Sequence, residues 1–203
     1  MRLAAVILAA GESRRLGQPK QLVRVGHGVA GGVDDETLLG RTVRIVREAG
    51  VDAVFVVLGA HAERVEAEAE LDGAVVVRNP AWASGMASSV HAGIAAVQAG
   101  MPEAEAAMLL VCDQPRLTAE HLRRLMDASV SGASVSGAIV ASEYAGVPGV
   151  PAVFPLCAFA RLMELSGDVG ARRLLIDEGV IRVAFEGGLV DVDTLEDLRG
   201  IGQ

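Results

Sequence analysis

Cysteine is scarce in this chain, with Cys112 and Cys157 the only two. Two thiols spell out neither a disulfide framework nor a zinc site, and buried, reduced thiols in a cytoplasmic protein are the expectation. Aromatic residues are equally sparse, at 3% of 203 residues. The apolar half of the chain is mostly Ala, Val and Leu, which suits interleaved strands and helices rather than a core built on large rings. Positive charge is in deficit: 18 Lys and Arg against 26 Asp and Glu leave a net charge of −8. That argues against a broad nucleic-acid or membrane-surface binder, which needs an excess of cations on one face. No apolar stretch approaches the roughly 20 residues of a membrane span. The opening MRLAAVILAAG imitates a signal peptide, but it reaches Gly11 and Glu12 too early for the roughly 15–30 residues of such signals, and it reads as a first strand.

What the chain does have is regular alternation. Continuous apolar runs at Leu3–Ala9, Ala53–Leu58, Ala74–Val77, Ala107–Cys112 and Ala138–Ala141 predict strands covered on both faces. Helical spacing marks Leu38–Ala49, His61–Glu70, Met86–Gln98 and Ala119–Ala128, the last with Thr118 as its N-cap. The pattern implies βαβ units, a mainly parallel sheet and an α/β class. Gly26–Glu36 reads as a flexible loop, and Ser142–Pro155 as a turning or lid-forming segment. Further helical patterns cover Leu156–Leu165 and Val169–Glu178, and a final strand and turn, GLVDVDTLEDL, follows. At 203 residues a single domain is expected, with halves meeting near residue 115.

Ligands of parallel sheets bind at the carboxyl ends of strands. Those ends carry AAGESRR, GAHAE, RNPAW and CDQP. The first places Gly11, Arg14 and Arg15, then Lys20, directly after the first strand. Backbone N–H groups in such a turn form an anion nest, and Arg15 and Lys20 can add charge-assisted bonds to phosphate. The segment fits neither G-x-G-x-x-G nor G-x-x-x-x-G-K-[ST], which weakens dehydrogenase and Walker-type readings.

LAAGESRRLGQPKQL resembles the signature of nucleotidyltransferases with a dinucleotide-binding-like fold. NPAWASGMASSV, VCDQP, GVPAVF, GDVGAR and DVDTLEDL follow in order. Together they resemble the MobA-like family and, within it, the molybdenum cofactor cytidylyltransferase (MocA-type) branch, over Leu3–Leu198. The connection from Val23 to Glu36 is longer than is usual in that family.

The resemblance implies a three-layer α/β/α fold of the nucleotide-diphospho-sugar transferase type. It implies that CMP passes from CTP to the terminal phosphate of molybdopterin, with release of pyrophosphate. Arg15, Lys20 and Asp113 would be catalytic, with Mg²⁺ held by Asp113 and Asp193. Asp191 is the lesser candidate, and Asp193 alone would read as a helix cap because Glu196 follows three residues on. Leu8, Ala9, Ala10 and Gly11, with Asn79, Gly85, Ser88 and Lys20, would hold the nucleotide. Gly85 either lets the chain pass close to base or ribose or starts the helix at Met86. Trp82 is a stacking ring or a packing anchor. Pro151 and Arg172 fall on the acceptor side, where Asp168 and Gly170 read as helix-capping residues. Ala10, where guanylyl-transferring members carry glycine, favours CTP. A phosphate nucleophile needs no general base, so His27, His61, His91 and His121 read as ordinary surface or helix histidines.

Three other functions stay open. A guanylyltransferase of the same branch is the nearest. A carrier that hands molybdenum cofactor to a hydroxylase is another. An isoprenoid-precursor cytidylyltransferase falls behind, because CDQP stands where that family carries Asp-Ala-Arg-Pro.

Overall fold

The computed structural model describes residues 1–26, 36–131, 137–177, 179–191 and 197. Within them the strands are β1 (Leu3–Ala9), β2 (Arg24–Val25), β3 (Glu36–Thr37), β4 (Ala53–Leu58), β5 (Val75–Arg78), β6 (Ala106–Val111), β7 (Val140–Tyr144), β8 (Val147–Pro155) and β9 (Ile181–Ala184). The helices are α1 (Leu38–Ala49), α2 (Ala62–Glu68), α3 (Met86–Gly100), α4 (Ala119–Ser131), α5 (Phe159–Met163) and α6 (Arg172–Leu175).

One sheet has the order β5-β4-β1-β6-β8-β7-β9. Only β8 runs against the others. Strand β1 is apolar on both faces because both are covered. Ala4 and Val6 join one layer with α3, α5 and α6; Leu3, Ala5 and Ile7 join the other with α1, α2 and α4. This is the mainly parallel, three-layer arrangement that the sequence predicts. Helix α1 begins where the Thr37 side chain accepts from the Gly40 amide, and it ends at Gly50 in the left-handed region. At α4 the Thr118 hydroxyl accepts from the His121 amide, as the N-cap expectation requires.

The Ser142–Pro155 segment turns, as one of its two readings expects, but is mostly strand. It is not a lid but the end of β7, a tight turn and the nine-residue β8. Strand β6 pairs with β8 only over Ala152–Pro155, so Pro155 stands at the end of that ladder. Pro148 and Pro151 lie beyond it; Pro148 is in register with Glu143 of β7, and Pro151 falls where the β7–β8 register shifts, an irregularity that accommodates proline. The last strand among the described residues is Ile181–Ala184; of GLVDVDTLEDL, Gly188 and Leu189 close the 3-10 turn Glu186–Leu189, while Val192–Glu196 and Leu198 lie outside the described residues. Leu156–Leu165 divides into a 3-10 turn and α5, and Val169–Glu178 shortens to α6. Cys157 is exposed, against the expectation of two buried thiols, while Cys112 is buried. Of the loop Gly26–Glu36, only the ends are described, where β2 and β3 pair as a ribbon.

Strand β1 has β4 on one side and β6 on the other. The chain therefore reverses its direction of progress across the sheet at β1, and a crevice opens at the carboxyl ends of these strands. Ala10, Gly59, Asn79 and Asp113 follow β1, β4, β5 and β6 at that edge. Tyr144 closes β7 at the same edge.

Candidate active site

The turn after β1 is tied from within. Ser13 takes a positive φ of 58°. Its carbonyl accepts from the Leu16 amide at 3.0 Å, and its hydroxyl accepts from the Lys20 amide at 3.0 Å. Gln21 completes the tie. It is buried, and its Nε2 donates to the Ala9 carbonyl at 2.7 Å and the Gly11 carbonyl at 3.0 Å. The sequence assigned Gln21 no role. The only available signal was a glutamine set among Leu16, Leu22 and Val23, all of which pack inward. Arg14 pairs with Glu12 at 2.7 Å on the surface, and Arg15 is exposed.

Lys20 crosses to the end of β6. Its Nζ lies 2.9 Å from Asp113 Oδ2, and both side chains are partly open to solvent. The structure thus brings together the cation and the carboxylate that the sequence put at two strand ends. Asp193 lies outside the described residues. Asp191 is exposed and close enough to act electrostatically on Tyr144, as Asp113 also does.

A cleft of about 640 Å³ opens along the turn after β1, lined by Leu8, Ala10, Gly11, Trp82, Gly85 and Ser89, with Arg14 and Asp168 also in its wall. A second cleft of about 700 Å³ lies on the other side of Trp82, between β4 and β5. Trp82 both packs on the core and faces these spaces. A side chain on Gly59 would stand 2.6 Å from the Trp82 Cβ and 2.8 Å from the Ala10 Cβ, so Gly59 lets the two come together.

Asn79 is buried, and its amide donates to Ser88 Oγ at 2.9 Å and Ser89 Oγ at 3.1 Å. Its Oδ1 accepts from the Ala81 amide. It shapes the loop between β5 and α3 from inside. Ser88 donates to the Gly85 carbonyl, while Ser89 faces the cleft. Gly85 has φ 112°, and a Cβ there would stand 2.4 Å from the Gly167 carbonyl carbon and oxygen. Gly85 thus meets the Gly167–Asp168 backbone as well as lining the cleft, and the Ala87 amide donating to the Gly167 carbonyl at 3.1 Å fixes that approach further. Asp168, read from sequence as a capping residue, lines the cleft instead.

On the far side, Gln114 Nε2 donates to the Val150 carbonyl at 3.1 Å, and Ser142 donates to the Pro151 carbonyl at 2.7 Å. These bonds set Pro151 next to the CDQP turn. Arg172 is exposed at the start of α6.

Two groups near the site are chemically quiet. Burial, with the Asp113 charge adding to it, pushes the Cys112 thiol up to about 12, so it is no nucleophile at neutral pH. His121 is a helix histidine of α4 rather than a surface one. It is buried, stacked on Phe185 at 4.2 Å and bonded to Ser142 Oγ at 2.8 Å.

Among the described residues, no three of His, Cys, Asp and Glu gather as a metal site. Mg²⁺ bound with substrate phosphates takes only one or two carboxylates, so Asp113 at the crevice fits such an ion. No described helix is long and apolar enough to cross a membrane.

The model of the MobA-like NTP transferase domain matches residues 5–181. The chain belongs to the MobA-like NTP transferase family. This MobA-like chain, a nucleotidyltransferase by family, is 31% identical to the nicotine blue oxidoreductase of Paenarthrobacter nicotinovorans, covering 97% of this chain and 94% of that protein. It is 30% identical to the purine catabolism protein PucB of Bacillus subtilis strain 168, covering 96% and 93%. The crystal structure of Rv0371c from Mycobacterium tuberculosis H37Rv superposes with a TM-score of 0.79 at 33% identity, covering 100% of this chain and 98% of that one. Rv0371c has also been crystallised in complex with manganese, and that structure matches at a TM-score of 0.76 and 31% identity, covering 99% and 98%.

Proposed function

We propose that this MobA-like chain is a MocA-type molybdenum cofactor cytidylyltransferase, moving CMP from CTP onto the terminal phosphate of molybdopterin. The observation that carries the reading is the Lys20–Asp113 contact at the switch point, beside a turn whose backbone faces a cleft. In this reading residues up to about 115 serve the nucleotide and those from about 116 serve the acceptor. Leu8, Ala9, Ala10 and Gly11 hold the base and sugar through their backbone, while Gln21, Asn79 and Ser88 keep the two walls in place. The Ala10 methyl, in the cleft wall against Gly59, supports the smaller pyrimidine.

Lys20 and Arg15 bind the triphosphate. A phosphate oxygen of the acceptor forms a bond to the α-phosphorus, the bond to the bridging oxygen breaks, and pyrophosphate leaves. No general base is required, because the attacking phosphate is already ionised. Asp113 and Asp193 would hold the Mg²⁺, which supplies charge neutralisation on the phosphates when bound. Lys20 then turns from Asp113 to the phosphates, an electrostatic role that positions rather than reacts. Arg172 and the Pro151 segment hold the acceptor.

The relatives' names concern purine catabolism and a nicotine-derived compound. In the proposed reading a molybdenum hydroxylase receives the product in the cytoplasm. The oxidoreductase name belongs to the Paenarthrobacter protein. In this chain the first turn lacks G-x-G-x-x-G, which favours transfer over hydride chemistry.

Pyrophosphate release is the test, measured with each of four nucleoside triphosphates, Mg²⁺ and molybdopterin. CTP is expected to be preferred. Preference for GTP would move the chain to the guanylyltransferase reading, and no release with any nucleotide would favour the carrier.

A further inference from the structure

None of the roles above uses Tyr144, the only tyrosine in the chain. It ends β7 at the crevice edge of the sheet, half-buried, with its ring against the layer that contains α1 and α4. Two glycines make room for it. A Cβ on Gly149 would stand 1.9 Å from the phenol oxygen, and one on Gly188 would stand 2.5 Å from the ring. Neither glycine has a positive φ. Their small size therefore serves the ring and not a turn.

The phenol is held in place, yet its hydroxyl makes no hydrogen bond among the described residues. Its surroundings are charged: Asp191, Arg172 and Asp113 all act on it electrostatically. These three come from the turn after β9, the start of α6 and the end of β6. Arg172 likewise makes no ion pair among the described residues. A fixed donor and a guanidinium that lack protein partners, beside the carboxylate assigned to the metal, suit a tetrahedral anion better than an apolar ring system.

We propose that the Tyr144 hydroxyl binds the terminal phosphate of the acceptor, donating to one of its oxygens while Arg172 engages another. The proposal rests on the transfer reading above and adds the residue that orients the attacking group. Burial and the Asp191 charge hold the phenol above its ordinary range, with Arg172 opposing, so the group keeps its proton and acts as a donor.

Tyr144→Phe tests this directly, because the ring stays against Gly188 and only the oxygen is lost. A melting curve first establishes that the variant is folded. In steady-state pyrophosphate release, the KM for molybdopterin is expected to rise roughly tenfold to a hundredfold, with the KM for CTP changed by no more than about twofold. An unchanged molybdopterin KM, or a parallel rise in the CTP KM, would overturn the proposal.

Failure of the transfer reading shows separately, as absence of pyrophosphate release by the wild type. Calorimetric titration with molybdopterin alone then decides for Tyr144. Binding weakened about tenfold in Tyr144→Phe supports it. Equal binding by both proteins, or no binding by the wild type, overturns it.

Discussion

Lys20 Nζ stands 2.9 Å from Asp113 Oδ2, a contact between residues 93 positions apart that joins the turn after β1 to the end of β6. Side-chain exposures of 19% and 22% leave the pair only partly open to solvent, and an amide in place of the Asp113 carboxylate still offers Lys20 an oxygen to bond. The stability change on losing that charge is expected to be about 1 kcal/mol. Asp113→Asn is therefore expected to lower Tm by no more than about 4 °C while reducing turnover about a hundredfold or more. Pyrophosphate release at saturating CTP and molybdopterin measures the second quantity. Wild-type turnover in the variant would remove Asp113 from the metal role.

Gln21 gives the reverse pattern, a stability effect that carries activity with it. Replacing it with Leu leaves the Ala9 and Gly11 carbonyls without the donor they now share. A loss of about 1–3 kcal/mol in urea unfolding is expected. The KM for nucleotide should rise with it, since the turn loses its tie. An unchanged nucleotide KM would mean that the turn holds its shape without Gln21.

Gly85 and Gly167 separate contact from conformation. At Gly85 an added methyl meets the Gly167 carbonyl at 2.4 Å and must also adopt φ 112°. Gly85→Ala is expected to cost more than about 2 kcal/mol. Gly167, at φ 61°, has nothing within 4 Å of an added methyl. Gly167→Ala should cost only about 1 kcal/mol, the penalty of the left-handed region. Equal urea midpoints for the two variants would contradict the backbone-to-backbone packing.

His121 makes stability depend on pH. Burial, helped by the Arg124 charge, pushes its imidazole down to about 4 from 6.5. The folded protein keeps the ring neutral, whereas the unfolded chain takes up a proton near the ordinary value. Between the two values the unfolded state binds more protons, so stability is full above about pH 6.5 and falls as the pH drops toward 4. The loss reaches at most about 3 kcal/mol. Urea midpoints at pH 7 and pH 4.5 should differ less in His121→Gln than in the wild type. The same difference in both would clear His121 of the effect.

The sheet's centre was legible because its chemistry is local. Strands β1 and β4 and helix α1 occupy the residues that their apolar spacing predicts. Strand β8 was obscured by Pro148, Pro151 and Pro155, which signal a turn unless the strand end and the register shift that accommodate them are known. At the site, Lys20 and Asp113 were legible as strand-end residues, although only the fold shows that they touch. Gln21 and Tyr144 were not. One satisfies carbonyls and the other has its ring seated over two glycines, and neither arrangement leaves a pattern in the sequence. Gly85 was flagged for a close approach to base or ribose; it lines the cleft, and only the fold shows that its backbone also meets Gly167, distant along the chain.

That meeting of Gly85 with Gly167 constrains how the sequence can be recombined. A chimera that takes its carboxyl-terminal third from a relative brings in a foreign backbone at 167–168 against a resident position 85. Unless both sides of the seam travel together, the hybrid inherits a steric mismatch in the wall of the cleft.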